Sequence, residues 1–285
     1  MKIEYDKQHE IYSTQAEIDL ALEPSETMTV GAWRQERVMS LIRPLTQEGQ
    51  SWLTLGDGNW GSEANWIIQN GGDAHASDYS TPLLEKAARM GRIKEYSRQN
   101  AESLTFSDEA FDFVLIKEAL HHFPRPWLAL YEALRVSKNG VVLFEPNGQE
   151  PSTISNILRL IRRRPYTDYY HFEKVGNFHY APNPRELDKF LLGMHLRRSA
   201  SIYYNDYWLG AEADAAPVFG GNPRQSKLSK TVQKTIRNRN RLGNLGVVPH
   251  SKLGYILFKQ FHEADGNALR KLGWTINELP KNPYR

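Results

Sequence analysis

Two successive histidines, His121 and His122, and one glutamate, Glu145, are the side chains of this sequence best suited to moving a proton. An imidazole titrates near neutral pH, and a carboxylate beside it fixes its tautomer and raises its basicity. All three stand just after apolar runs of strand length. Residues 111–116 (FDFVLI) lead into Lys117-Glu118-Ala119-Leu120-His121-His122-Phe123, and residues 141–144 (VVLF) lead into Glu145-Pro146-Asn147. Two neighbouring strand exits would bring an imidazole and a carboxylate together. His122 is the expected base, with His121 and Glu145 orienting it; the plainer alternative is that the histidines only close a pocket.

A second group of residues is suited to binding. Residues 55–64 (LGDGNWGSEA) follow the apolar stretch 51–55 and run into a helix-like segment, so they read as a strand, a tight turn and a helix start. Gly56, Gly58 and Gly61 satisfy G-x-G-x-x-G, which allows a sharp turn, close backbone approach to a ligand, and helix–strand packing. Asp78 ends a second short strand, residues 74–77, twenty residues after Gly58. A carboxylate there can accept both hydroxyls of a ribose. It could also cap the helix over 81–90, although Ser80 and Thr81 offer caps of their own. A nicotinamide dinucleotide would meet the same residues. Against it stands Asp57, an acid inside the turn where a pyrophosphate needs neutral backbone donors. S-adenosylmethionine has no phosphate and carries an ammonium and a sulfonium, so the turn favours that cofactor.

The elements that must position these groups alternate. Strands at 51–55, 74–77, 93–96, 111–116 and 141–144 are separated by helices at 63–68, 81–90 and 126–136, which predicts a parallel sheet with helices on both faces. Ligands of such sheets sit beyond the carboxyl ends of the strands, where every polar residue named above falls. Upstream, Ser25 is expected to cap a helix carrying Met28, Trp33, Val38, Leu41 and Ile42 and closed by Pro44.

Four segments in order carry a family resemblance: the glycine turn at 55–61, Asp78, residues 100–106 before Phe111-Asp112, and the exit at 119–123. Residues 52–147 resemble a class I S-adenosylmethionine-dependent methyltransferase of the small-molecule, type 11-like branch. The resemblance implies an α/β, Rossmann-like doubly wound sheet of seven strands, ending in an antiparallel pair that residues 198–204 and 253–261 fit, with a helix over 184–194 before them. It implies that Gly56 and Gly58 border the methionyl group, Asp78 holds the ribose, and Ala101 and Glu102 lie at the adenine edge, where Asn100 can bond the amino group, with Asp57, Tyr79, Lys117 and Glu118 completing the cofactor contacts. Two positions depart from the family pattern: Thr54 and Asn100 stand where acidic residues are frequent. The His-His pair resembles that of sugar O-methyltransferases, which also carry an acid after the fifth strand. O-methylation of a saccharide or sugar-bearing metabolite is therefore the expected function. The alternatives are methyl transfer to RNA or to carbon or nitrogen of another small molecule, and a non-catalytic cofactor-binding scaffold.

The remaining segments frame this core. Residues 1–48 are expected as a helical arm or lid with Tyr5 and Tyr12, residues 49–205 and 251–262 as the cofactor-binding core, and residues 263–285 as a tail. Residues 146–183 form a lid insertion rich in arginine and aromatics, in which Tyr170, His171, His179 and Tyr180 are the candidate acceptor contacts. Residues 206–250 form a second insertion. From 224 to 241 it holds seven basic residues and no acidic one, with Leu228, Val232 and Ile236 at helical spacing. That pattern reads as a helix packed by one face. Its charge suits an anionic small-molecule or glycan acceptor, or a peripheral membrane contact; nucleic acid is disfavoured because aromatics do not interleave the cations. With no cysteine, the chain excludes disulfides and thiolate chemistry. It shows no apolar run long enough for a membrane span and no secretory leader, so a cytoplasmic location is expected. No compact Asp/Glu/His ligand cluster demands a metal.

Overall fold

Along the central strands, successive side chains alternate between two apolar faces, and both are covered. In the computed structural model, which describes residues 28–148, 172 and 177–284, β1 (Ser51–Leu55), β2 (Asp73–Asp78), β3 (Glu95–Arg98), β4 (Phe111–Lys117) and β5 (Ser137–Pro146) pair in parallel. With β6 (Arg198–Tyr204), β7 (Lys252–Phe258) and β8 (Thr275–Glu278) they form one sheet of order β3-β2-β1-β4-β5-β7-β6-β8. β7 runs antiparallel to both β5 and β6. Order reverses between β1 and β4, so their carboxyl ends flank the crevice where such sheets bind ligands.

One face buries Trp52, Phe113, Leu115, Val142 and Phe144 beneath α1 (Val30–Met39), α2 (Ser62–Gln69) and α3 (Pro82–Arg89). Trp52 and Phe113 stack at 4.8 Å between centroids across the β1–β4 pair. The other face buries Leu53, Leu55, Val114, Ile116 and Leu143 beneath α4 (Pro126–Val136) and α5 (Pro184–Gly193). Strands buried on both faces read as the continuous apolar runs seen in the sequence.

The insertion over 206–250 supplies α6 (Ala211–Ala215) and the 22-residue α7 (Pro223–Asn244). Asn222 caps α7 in a reciprocal capping box with Gln225. As the spacing indicated, Val232 and Ile236 are buried and Leu228 packs beside them, against Val30, Ala213 and Ala216. Arg34 of α1 fastens this layer, donating to Asp206 at 2.9 and 2.5 Å and to both oxygens of Asp214 at 2.9 Å.

Several expectations are corrected. An eighth strand extends the anticipated seven, and residues 263–284 are not a tail: α8 (Glu263–Lys271) leads to β8, which pairs antiparallel with β6. Between them Trp274 is buried and its indole donates to the Leu41 carbonyl at 2.8 Å. The first described helix starts at Val30 under a Thr29 cap, while Ser25 lies outside the described residues and Met28 is exposed. Pro44 sits inside a 3-10 turn (Ser40–Leu45) that continues α1 rather than closing it. β3 starts at Glu95, because Ile93 turns down to pack beneath Gly61 instead of joining the ladder. β7 ends at Phe258, where Lys259 and Gln260 both donate to the Asn139 carbonyl. Among the described residues, no helix is long and apolar enough to cross a membrane.

Candidate active site

The turn after β1 is shaped by contacts that admit no side chain. Gly56 has φ +77°, and a Cβ there would stand 2.4 Å from that of Ala119. The Gly56 and Asp57 amides donate to the Ser77 carbonyl at 3.0 and 3.1 Å, tying the turn to the end of β2. A Cβ on Gly58 would lie 2.7 Å from Asp78 Oδ2. Bare backbone therefore faces the carboxylate at the tip of β2, which is the cradle a nucleoside's ribose requires. Asp78 Oδ1 also accepts from the Ser80 amide at 2.8 Å, and the Arg98 guanidinium lies 4.5 Å over the Tyr79 ring. Gly56, Gly58, Asp78 and Tyr79 thus come together as the spacing indicated, and they fit S-adenosylmethionine.

Other expected cofactor contacts are turned elsewhere. Asp57 is buried and caps α2: Oδ1 accepts from the Glu63 amide at 3.2 Å, and Oδ2 from the Ala64 amide and Thr54 hydroxyl, both at 2.9 Å. Its carboxylate is therefore engaged by the turn and by α2, and Thr54 is accounted for as its partner. Burial and the neighbouring Glu63 carboxylate push Asp57 upward. Lys117 donates to Glu63 at 2.8 Å rather than reaching a ligand. Burial opposes the charge of both partners, yet the ammonium brings Glu63 down to about 2, and Glu63 in turn raises Lys117. Glu102 is buried against Arg125, accepting from its backbone amide at 2.8 Å and from its guanidinium, so its carboxylate anchors the start of α4 instead of the adenine. Asn100 Oδ1 accepts from the Glu102 amide at 2.9 Å, and Ala101 between them is buried. Glu118, at φ +53°, pairs with Lys252 at 2.5 Å.

The two histidines and Glu145 do come together, with one change of partner. Glu145 is fully buried; Oε1 accepts from the Ala119 and Leu120 amides at 3.0 and 2.9 Å, and Oε2 bonds Nδ1 of His121. The carboxylate thus orients His121, not His122. The reason is geometric: the 3-10 turn Leu120–His122 buries its first histidine and leaves its second half-exposed. Burial would raise Glu145, but His121 and the two amides hold it below the usual carboxylate range. Burial would lower His121, and Glu145 outweighs it and raises the imidazole. The ring of His122 lies 3.9 Å from that of His121, and the ring of His179 lies 4.4 Å from His121 and 6.0 Å from His122. Tyr180 does not offer its hydroxyl to this cluster, donating it to Glu186 at 2.7 Å while its ring meets Trp127. Tyr170 and His171 lie outside the described residues.

Sequence reasoning missed three further groups at this edge. Tyr204 ends β6 opposite Lys252, and burial together with the Glu118, Asp206 and Glu145 carboxylates raises its phenol. Arg37 lies 5.0 Å over the Trp33 ring, and its buried Nη1 has no hydrogen-bond partner among the described residues. The i,i+4 spacing of Trp33 and Arg37 was the available signal. Asn177 donates to the His122 carbonyl at 3.1 Å. Among the described residues, no group of three or more His, Asp or Glu side chains is disposed to hold a metal.

Residues 53–144 match the model of a family described as a methyltransferase domain. A curated relative, the ubiquinone/menaquinone biosynthesis C-methyltransferase UbiE of Ruegeria sp. (strain TM1040), is 29% identical over 126 residues, 41% of this chain. The match covers 49% of that protein, so the chain spans about half the length of the relative it matches. Among solved structures, the YcgJ protein of Bacillus subtilis is similar at 17% identity and a TM-score of 0.50, over 80% of this chain and 99% of that one. The Burkholderia thailandensis 1,6-didemethyltoxoflavin-N1-methyltransferase, solved with 1,6-didemethyltoxoflavin and S-adenosylhomocysteine, is similar at 11% identity and a TM-score of 0.51, over 90% of this chain and 88% of that one. At such identities the structural likeness is one of fold.

Proposed function

We propose that the chain is a class I S-adenosylmethionine-dependent methyltransferase that methylates a hydroxyl of a saccharide or sugar-bearing acceptor, with His121 as base. S-adenosylmethionine, when bound, supplies a sulfonium-borne methyl group open to in-line displacement. The backbone at Gly56 and Gly58 would meet its methionyl end, Asp78 would take the ribose hydroxyls, and Tyr79 with the Asn100–Ala101 backbone would flank the adenine.

One observation carries the choice of a proton-bearing acceptor: a fully buried carboxylate, Glu145, spends one oxygen on two amides and the other on His121. An aliphatic hydroxyl is a weak nucleophile until its proton leaves. With Nδ1 of His121 held by Glu145, its Nε2 accepts that proton, and the carboxylate stabilises the imidazolium formed. His122 and His179 line the approach. Arg37, half-buried with its Nη1 lacking a hydrogen-bond partner among the described residues, supports an anionic group on the acceptor.

The test is methyl transfer from labelled cofactor to a panel of nucleotide sugars and acidic glycans, with product NMR to locate the methyl group. A second reading, a carbon acceptor, is supported by the relative's name as a C-methyltransferase, and the same NMR separates it from oxygen. For the base, the acid limb of kcat/KM against pH should lie above the ordinary histidine value of 6.5, because Glu145 raises His121. Glu145→Gln should move that limb downward and lower kcat by about 10²-fold or more. A limb unmoved by Glu145→Gln but abolished by His122→Ala would transfer the role to His122.

A further inference from the structure

Seven cations stand on α7 without one acid, and their arrangement divides them sharply. Arg224 pairs with Glu212 at 2.6 Å, and Arg239 lies 4.8 Å over the Tyr207 ring. Lys227, Lys230, Lys234, Arg237 and Arg241 are exposed and have no acidic partner among the described residues. They recur at steps of three and four residues, so they form one stripe along a helix of 3.6 residues per turn. The opposite face, Ser229, Val232 and Ile236, is buried. A shallow open groove of about 450 Å³ follows the stripe's first half, lined by Pro223, Ser226, Lys227, Lys230, Thr231 and Lys234. Leu245 lies eighteen residues after Lys227, five full turns on, and is 76% exposed; Leu242 and Val247 beside it are 42% and 53% exposed.

We propose that this face of α7 docks the protein on the surface of a bilayer containing anionic lipids. A straight stripe of unpaired cations matches a plane of negative headgroups, each basic side chain adding to the attraction. The apolar group at the stripe's end supplies the wedge that the headgroup–acyl boundary accepts and that a phosphate backbone does not. Single-stranded RNA would call for aromatics among the cations, and the stripe has none. The helix is also joined to the catalytic edge. Asn240 Oδ1 accepts from the Asn205 backbone amide at 2.9 Å and from its side-chain amide at 3.2 Å, directly after Tyr204 at the end of β6. Docking through α7 would therefore set the carboxyl edge of the sheet beside the bilayer.

The experiment is co-sedimentation of the full chain with vesicles of phosphatidylcholine alone or mixed with phosphatidylglycerol, at low and high salt. The wild type should pellet with the mixed vesicles at low salt, stay in solution with neutral ones, and be released by salt. The triple variant Lys227→Glu, Lys230→Glu, Lys234→Glu should bind mixed vesicles at least about thirtyfold more weakly. Leu245→Asp should weaken binding with less change in salt dependence. Because these side chains are exposed, thermal unfolding of each variant should match the wild type, and a triple-glutamine variant repeats the test without new acidic charge. Absence of binding to mixed vesicles, equal binding by the triple variants, or capture of single-stranded RNA through these lysines without vesicle binding would each overturn the proposal.

Discussion

Asp57 shows how a residue's identity can be legible while its job is not. The glycines announced a turn that approaches a ligand, and Gly56, Gly58 and Asp78 do meet there. An aspartate inside the same turn could face outward or fold back onto the next helix, and spacing does not distinguish the two. It folds back, into a buried cluster with Glu63 and Lys117. That cluster yields a prediction about stability. Glu63 sits at about 2 in the fold against an ordinary value of 4.5, so its contribution is present above pH 4.5 and is lost as pH falls toward 2. Lys117→Met leaves the Glu63 carboxylate buried without its cation and should cost about 3 kcal/mol near neutral pH. The loss should shrink under acid, where Glu63 in the variant takes up a proton while the wild-type pair gives up its contribution as pH falls toward 2. Adding Glu63→Gln to Lys117→Met should recover part of it. Urea unfolding of the three proteins between pH 3 and 8 measures both effects; a pH-independent loss would mean that Lys117 acts through packing alone.

At the scale of elements, legibility followed burial. Strands buried on both faces and helices with a clean 3.6-residue stripe were readable, as β1, β4, α4 and α7 show. β8 was not, because Thr275, Ile276, Asn277 and Glu278 form a four-residue edge strand with one apolar side chain. Such an edge is specified by its partner, β6, and by the anchor before it. Leu269 and Trp274 are buried in the same core as Phe144, and the Trp274 indole reaches across to the carbonyl of Leu41. Deleting residues 263–285 should therefore do more than shorten the chain. It exposes the edge of β6, opens the core beneath α1, and leaves a backbone carbonyl without its donor. The truncated protein should unfold at markedly lower denaturant and self-associate, read by urea titration and light scattering. Trp274→Phe, which keeps most of the volume but loses the indole donor, should cost about 1–3 kcal/mol, separating the anchor from the strand. A truncated chain as stable and monomeric as the parent would restore the view of these residues as a tail.

The whole molecule draws its site from segments far apart in sequence, the turn at 56–58, the tip of β2, the residues after β3, and the exit of β4. A ligand that spans them should stabilise the chain as one unit. At about a hundred times its dissociation constant S-adenosylhomocysteine should add roughly 2.7 kcal/mol, a shift of several degrees in unfolding temperature. NADH should add nothing, for a reason the fold alters. Asp57 does not repel a pyrophosphate across the turn; it occupies the first-turn amides of α2, at Glu63 and Ala64, that a pyrophosphate would need. A cofactor without phosphate asks nothing of those amides. Asp78→Ala should reduce the S-adenosylhomocysteine shift by removing the ribose acceptor while leaving the unliganded unfolding temperature close to the parent's, since Asp78 stands half-exposed at a strand tip. An NADH shift in the parent would mean that Asp57 yields its place on α2, and the nucleotide pocket would then have to be rebuilt around that displacement.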